Sequence, residues 1–348
     1  MKKQVLLRAL ILMSALLVLN GCKGSDTAKD AKSDDATTVL EAGAEPLEEL
    51  RYKIAHGTRM TSTLDFASAR LATTEKVAVL EATPGARLHI VSGPTMKGKR
   101  GSTRFDVRIV KSEAIIPERM PRAQAMALNK AVQVMNNVGG WVEVDDRGIV
   151  QRAELNEAAK RPDVPVRSLV TLINARTSLA RVILPAAPVG IGAKWEARKE
   201  IVLYGFQINQ VDTYTLVDKV GDELKIKVDI KQTAPGQTIT FEEEGVELTV
   251  ESYEMEAAGD VIVNLSAIEA NATARGASSG VINVKTVDGT EKIAVDRAIQ
   301  MRMTVTYDLA EFEAAEASDK AKAAAEAQEQ TAQDLDEELE EAGEIKKP

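Results

Sequence analysis

Residues 299–307 have the sequence IQMRMTVTY, in which apolar side chains alternate with polar ones. Successive side chains of a β-strand point to opposite faces of a sheet, so a period of two predicts a strand with one face on the core and the other in water. The stretch therefore predicts a half-buried antiparallel strand, and it directs attention to similar patterns elsewhere in the chain.

The same alternation recurs in Leu224–Ile230 and in Phe105–Ile109. Asp288-Gly289 separates the strand-like segment Val281–Val287 from Lys292–Val295, and this dipeptide is a strong signal for a tight hairpin. Gly221-Asp222 and the DDRG stretch at 145–148 predict further turns. A large antiparallel sheet built from consecutive strands follows from these patterns.

Two stretches interrupt the alternation and have helical spacing instead. The first runs from Pro121 to Asn136, where Pro121 suits the first turn and Gly139 follows the end. The second runs from Val166 to Ile183 and has a broad apolar face before Pro185. We expect helices at about 121–136 and 166–183, both packed on the sheet.

The fold class that these elements predict is α+β, mainly β. Strands precede and follow the helices rather than alternating with them, which argues against βαβ units. We expect a large curved antiparallel sheet, arranged either as an open half-barrel or as two sheets, in a globular body spanning residues 47–310.

The segments that flank this body differ from it in composition. Residues 22–46 are rich in Ala, Asp, Ser, Thr, Gly and Lys, which predicts a flexible tether. Residues 311–348 contain thirteen acids and four lysines. Ala, Glu, Gln and Lys favour helix, but few large apolar residues are present, so this acidic tail is predicted to be a solvated helix or disordered.

Residues 1–21 have the features of a secretory signal peptide. Lys2, Lys3 and Arg8 precede an apolar run from Ala9 to Leu19. A transmembrane helix needs about 20 apolar residues, so this run is too short to be one.

The tetrapeptide Leu19-Asn20-Gly21-Cys22 resembles the lipobox of bacterial lipoproteins. The resemblance implies cleavage before Cys22 and a diacylglycerol anchor on its sulfur. Cys22 is the only cysteine, which rules out an intramolecular disulfide and leaves a free exported thiol as the alternative. Lys23, where an aspartate would retain the protein in the inner membrane, resembles enterobacterial sorting to the outer membrane.

Composition argues against several function classes. A net charge of −9 and an aromatic content of 3% disfavour nucleic acid as a partner. The two histidines, His56 and His89, have no companions at metal-ligand spacing, and Glu242-Glu243-Glu244 lacks the pattern of a calcium loop. We therefore expect no metal and no cofactor.

Two segments resemble catalytic motifs but lack the required context. Gly93–Lys99 approximates a phosphate-binding loop, yet Arg100 replaces the Ser or Thr that binds magnesium, and the next element is predicted to be a strand. Gly276–Gly280 matches a nucleophile elbow, but no histidine follows it in the chain, so we predict a small-residue hairpin loop there. No catalytic residue is assigned, and we expect that the protein is not an enzyme.

A family resemblance adds to this interpretation. The lipobox, the tether, the strand Leu50–Ile54 with Gly57, and the segment Pro185–Trp195 resemble uncharacterised families of β-rich bacterial lipoproteins. The architecture is also similar to the open half-barrel of periplasmic lipoprotein carriers, which enclose acyl chains.

Two hypotheses for function follow. The first is a membrane-anchored envelope module that binds a hydrophobic or lipid ligand, or an envelope protein, without catalysis; Met301 and Met303 would be among its ligand contacts or would be plain core. The alternative is a structural or surface lipoprotein that has no small-molecule ligand.

The anchor can be tested directly. In cells supplied with an alkyne palmitate, we expect the natural chain to be labelled and the Cys22→Ser chain to lose the label, because acylation requires the sulfur. In-gel fluorescence after coupling a dye to the alkyne measures both. Persistent labelling of the Cys22→Ser chain would contradict the assignment.

Overall fold

The structure is a computed structural model that describes residues 37–306, except 75–76, 117–119, 161–180, 204–205, 242–244, 268 and 288. The predicted signal peptide, the lipobox with Cys22, residues 22–36 of the tether, most of the second predicted helix and the acidic tail lie outside the described residues. These assignments stay predictions.

The described residues form fourteen strands and one α-helix, α1, at Arg122–Gln133. The strands are β1 (Thr37–Glu41), β2 (Met60–Thr73), β3 (Ala78–Ser92), β4 (Met96–Lys97), β5 (Thr103–Ile115), β6 (Gly139–Val144), β7 (Val150–Leu155), β8 (Lys194–Leu203), β9 (Phe206–Val220), β10 (Glu223–Thr233), β11 (Gln237–Phe241), β12 (Val246–Asn264), β13 (Asn271–Thr286) and β14 (Gly289–Thr306).

All of these strands belong to one sheet, which is open and does not close on itself. Its order is β1-β8-β9-β10-β12-β13-β14-β2-β3-β5-β6-β7, with β11 paired to β12 and β4 paired to β5. The pairs β8–β9, β9–β10, β10–β12 and β12–β13 are antiparallel, as predicted. The mainly β fold is therefore confirmed, with β1 and β7 at the two ends of the main strand order of a single sheet.

The predicted alternation matches the observed burial. Along β10, Leu224, Ile226 and Val228 are buried while Lys225 and Lys227 are exposed. The predicted hairpins also form: Val220 pairs with Glu223 across Gly221, and Thr286 pairs with Gly289. The period of two thus identified the face of each strand that meets the core.

The main hydrophobic cluster joins strands that lie far apart in the sheet. Trp195 on β8, Tyr214 on β9 and Phe105 on β5 belong to it, and each is 0% exposed. The rings of Trp195 and Tyr214 lie 5.5 Å apart between centroids, and Trp195 Nε1 donates a hydrogen bond to Ile183 O at 2.8 Å. Because distant strands share one core, the sheet must curve around it.

A smaller hydrophobic cluster lies on the same face, nearer the β13–β14 hairpin. It includes Phe206, Leu248, Val284 and Ile293. The sheet face that carries both clusters is called the inner face below.

The helix α1 confirms the first helix prediction and packs on β5. Asn129 Oδ1 accepts a hydrogen bond from Ala114 N at 2.9 Å, and Ser112 Oγ donates to Val132 O at 2.8 Å. The second predicted helix, 166–183, falls outside the described residues up to position 180, and residues 181–183 are not helical. Among the described residues, no helix is both long enough and apolar enough to span a membrane.

Three details of the sequence prediction need correction. Residues 50–54, predicted to be a strand, have no regular secondary structure. The strand β1 lies inside the segment assigned to the tether, so regular structure begins at Thr37. Residues 276–280 lie within β13 and form no hairpin loop. Small residues occur there because neighbouring strands approach closely: a Cβ on Gly276 would lie 2.4 Å from Ala257 Cβ and 2.5 Å from Glu256 O.

This close approach predicts an effect on stability. We expect Gly276→Ala to lower the free energy of unfolding by about 1–3 kcal/mol, because the new methyl group overpacks against β12. Urea unfolding measures the change. Ser279→Ala, at an exposed position on the same strand, is the control and should change stability by less than about 0.5 kcal/mol. Equal stability of the two variants would contradict the assignment of residues 276–280 to a packed strand.

Candidate ligand-binding site

A row of register partners crosses the inner face between the two hydrophobic clusters. Each member pairs with the next across adjacent strands from β8 to β14, and most are polar. We call this set the polar row: Lys199, Gln210, Gln232, Met255, Ser278 and Arg297.

The polar row lies between the two clusters on most of the strands it crosses, while Met255 on β12 belongs to the main cluster. On β9, Ile208 belongs to the smaller cluster and Tyr214 to the main one, with Gln210 between them. On β14, Ile293 and Met303 flank Arg297 in the same way. Buried polar groups are costly unless they are hydrogen-bonded, so this position demands partners.

Asp212 supplies the charge that organises the row. It is 0% exposed, and its carboxylate lies 2.7 Å from Lys199 Nζ. It also accepts hydrogen bonds from Gln210 Nε2 at 2.6 Å and from the Tyr214 hydroxyl at 3.2 Å. A buried carboxylate with a cation and two further donors is well satisfied.

Tyr214 remains a donor in this arrangement. Burial, followed in importance by the negative charge of Asp212, raises the pKa of Tyr214 well above its ordinary value. The hydroxyl therefore stays protonated at physiological pH and keeps its hydrogen bond to Asp212.

The hydrogen bonds continue along the row. Gln210 Oε1 accepts from Gln232 Nε2 at 2.8 Å, and Gln232 Oε1 accepts from the Tyr253 hydroxyl at 3.0 Å. This network ties β8, β9, β10 and β12 together through side chains, in addition to the backbone ladder.

An open cleft of about 730 Å³ crosses β12, β13, β14 and β2. This volume falls in the range of small-molecule sites. Most of its lining residues, such as Ala277 and Glu256, lie in the exposed phase of their strands, on the face opposite the inner face. Most of the lining side chains are either small (Ala and Ser) or acidic (Glu and Asp). The cleft is lined by Ala69, Leu71, Glu254, Glu256, Ala277, Ser278, Ser279, Asp296, Arg297 and Ala298.

The register explains how these residues come together. Ala277 pairs with Glu256 on one side and with Ala298 on the other, while Ser279 pairs in the same way with Glu254 and Asp296. Two adjacent rows therefore place small side chains in the middle and carboxylates beside them. Ser278 and Arg297 connect the cleft to the polar row, and the Arg297 guanidinium carbon lies 5.9 Å from the ring centroid of Phe66.

The apparent phosphate loop at 93–99 is occupied by a carboxylate of the protein itself. Glu143 accepts hydrogen bonds from Ser102 Oγ and from the Lys99 backbone N–H, the latter at 3.0 Å. The Ser102 hydrogen bond is the largest influence that lowers the pKa of Glu143. The loop leads through a single 3₁₀ turn into β5, so no α-helix N-terminus faces it.

The other sequence candidates are dispersed. His89 on β3 faces Glu113, with Nε2 and Oε2 3.4 Å apart, and His56 lies in an exposed turn. Ser278 is buried in a strand rather than placed on a strand-to-helix turn. Within the described ranges, no group of three or more His, Cys, Asp or Glu side chains is placed to hold a metal ion. Glu242-Glu243-Glu244 lies outside those ranges.

Met301 and Met303 are placed in the core rather than in the cleft. Met303 is buried in the main cluster and Met301 packs against it. Sequence reasoning missed Asp212 and Gln210, although a signal existed: both occupy the buried phase of β9, where the alternation requires apolar residues.

Comparisons with known proteins add little. No protein-family model matches the chain, and no curated protein matches it. Among solved structures, OccK8 (OprE) of Pseudomonas aeruginosa is similar at 5% sequence identity, over 72% of this chain and 99% of that one, with a TM-score of 0.18. A likeness this weak carries no argument about function.

The Glu143 contact predicts a pH-dependent effect. A carboxyl whose pKa is lowered by folding adds stability above its ordinary pKa of about 4.3, and this stability is lost as the pH falls through the folded value. We expect Ser102→Ala to lower the free energy of unfolding by about 1.5–3 kcal/mol at pH 7, and by less at pH 3. Urea unfolding at both pH values measures this difference.

In the Glu143→Gln background, Ser102→Ala should lose this pH dependence, because position 143 no longer titrates. An equal loss at pH 7 and pH 3 in the natural background would show that the Ser102–Glu143 hydrogen bond does not favour the charged carboxylate.

Proposed function

We propose that this chain is a lipid-anchored, non-catalytic binding module of the bacterial cell envelope, and that it holds a hydrophobic or lipid ligand in the cleft that crosses β12, β13, β14 and β2. The observation that carries the proposal is the cleft itself, whose middle is formed by small side chains such as Ala277 and Ala298. The cleft has the volume of a small-molecule site, with an apolar floor of small side chains and charged residues beside it.

The shape of the cleft favours an extended alkyl chain. Ala69, Ala277 and Ala298 project little above the backbone, so they leave room along the sheet surface rather than a deep hole. Each methylene removed from water contributes about 0.8 kcal/mol, so even a partly covered acyl chain gains useful affinity.

The charges around the cleft favour a particular headgroup. Glu254, Glu256 and Asp296 line it, with Arg297 as the cation among its lining residues. This excess of carboxylates repels a purely anionic headgroup. A zwitterionic or cationic headgroup places a positive group near these carboxylates and avoids this repulsion.

The N-terminal residues support the location in the proposal. The lipobox pattern at 19–22 would place a diacylglycerol on Cys22, and Lys23 favours the outer membrane. Fourteen residues lie between Cys22 and Thr37, so the linker reaches at most about 50 Å when fully extended. The cleft would therefore operate close to the bilayer.

Filling the cleft tests the binding proposal. We expect Ala277→Trp to reduce the amount of lipid that co-purifies with the mature chain, and to weaken binding of the apolar fluorophore N-phenyl-1-naphthylamine at least tenfold, because the indole occupies the cleft. Mass spectrometry of an organic extract and fluorescence titration measure the two effects.

The matched control is Thr273→Trp, which places the same side chain at an exposed position on the same strand, outside the cleft. It should bind as the natural chain does. If the natural chain yields no lipid and does not bind the fluorophore, the binding proposal is wrong, and a structural or surface lipoprotein without a small ligand becomes the better account.

A further inference from the structure

Five exposed aliphatic side chains gather at the end of the sheet opposite the β13–β14 hairpin. They lie between 43% and 66% exposed. We call this set the apolar end: Leu40, Leu47, Ile191, Val217 and Val220.

Hydrogen bonds and strand register place these residues together. Ala44 N donates to Ile191 O and Gly192 N donates to Leu216 O, both at 2.8 Å. Glu48 bridges to Val189 through the backbone. The segments that carry Leu47, Ile191 and Val217 are thus joined directly.

The strand β1 runs into this end of the sheet. Glu41 pairs with Lys194, and Lys194 pairs with Thr215 five residues before Val220. Leu40 therefore lies at the same end as the β9–β10 turn.

The apolar end is built rigidly. A Cβ on Gly190 would lie 1.7 Å from Ala44 O, and a Cβ on Gly43 would lie 2.4 Å from Gly190 O. Only glycine permits this approach of the two segments. The aliphatic side chains are thus presented on a fixed surface and not on a loose loop.

The charges nearby do not attract an anionic surface. Glu41 pairs with Lys194 at 3.1 Å and Glu48 pairs with Lys219 at 2.9 Å, which balances these charges locally. Glu45 and Glu49 add exposed carboxylates. Attraction of this end to a membrane would therefore come from apolar contact rather than from a basic patch.

The position of the chain that leads to Cys22 favours a lipid bilayer as the partner of the apolar end. It enters the sheet at Thr37, and β1 then runs about 13 Å towards the apolar end. An anchor on this linker would keep a bilayer within reach of the apolar end at all times, so weak apolar contact is sufficient for docking.

We infer that the apolar end docks on the lipid surface that carries the Cys22 anchor, with its aliphatic side chains at the boundary between headgroups and acyl chains. This inference rests on the proposed lipid anchor. Docking orients the body with the β9–β10 turn towards the bilayer and the β13–β14 hairpin away from it.

A site-specific fluorophore tests the orientation. Cys22 is the only cysteine, and its sulfur is blocked in the lipidated chain, so a cysteine introduced at Val220 or at Val287 is the one thiol available for a bimane label. Val287 is 93% exposed and lies at the opposite end of the sheet, which makes it the matched control. The labelled chains are incorporated into phosphatidylcholine vesicles that contain brominated acyl chains.

We expect bromine to quench the label at 220 at least threefold more than the label at 287, with little change in 0.5 M salt. Combining Leu47→Ser, Ile191→Ser and Val217→Ser should remove the difference, while circular dichroism and co-sedimentation with vesicles stay unchanged. Equal quenching at both positions, or a label at 220 that is already shielded in the absence of vesicles by self-association, would overturn the inference.

If the proposed lipid anchor is absent, the experiment gives a result that differs from a failure of docking. If Cys22 carries no lipid, mass spectrometry detects two labelled thiols and the natural chain does not co-sediment at low lipid concentration. The Cys22→Ser chain at high lipid concentration then tests docking alone: stronger quenching at 220 than at 287 supports it, and equal quenching contradicts it.

Discussion

A sheet with one apolar face must cover that face, and in the described part of this protein the covering is done mainly by the sheet itself. The helix α1 has no buried residue, so it contributes little shielding. Trp195, Tyr214 and Phe105 instead meet in one cluster although their strands are widely separated in the sheet order. Curvature brings them together around the inner face, where the polar row lies between the two clusters.

Polar residues across the middle of an apolar face lose their hydration, and this free-energy cost is offset only if each of them is hydrogen-bonded. Asp212 has Lys199, Gln210 and Tyr214 as partners, and the hydrogen bonds extend to Tyr253. Such a network favours one register, because sliding β9 by two residues would separate Gln210 from its partner Gln232. The two hydrophobic clusters bury most of the apolar side chains. The polar row between them favours the observed pairing of strand positions.

Much of the strand structure could be predicted from the sequence because it is local. Alternation along β10 and β14, and the turns at Gly221 and Gly289, depend on neighbouring residues alone. The uninterrupted course of β13 could not be predicted, since glycine and serine at 276–280 usually mark a turn, and only contact with β12 explains them. The cleft is less predictable still. The pairing of Ala277 with Ala298 follows from the predicted β13–β14 hairpin, but β2, which contributes Ala69 and Leu71, is distant in sequence. Asp212 is predictable in part. Its place in the buried phase of β9 can be read from the sequence, but its partners Lys199 and Tyr214 cannot.

An open sheet leaves two edges whose backbone groups have no strand beside them, and such edges can recruit another chain into a growing β-ladder. Here one edge, β1, is only five residues long, and the other, β7, exposes Arg152 and Glu154 along a six-residue strand. Short length and charge are the usual protections against edge-to-edge aggregation. In the described part of the chain, both ends of the main strand order therefore carry features that disfavour pairing with a second chain, although the sheet stays open.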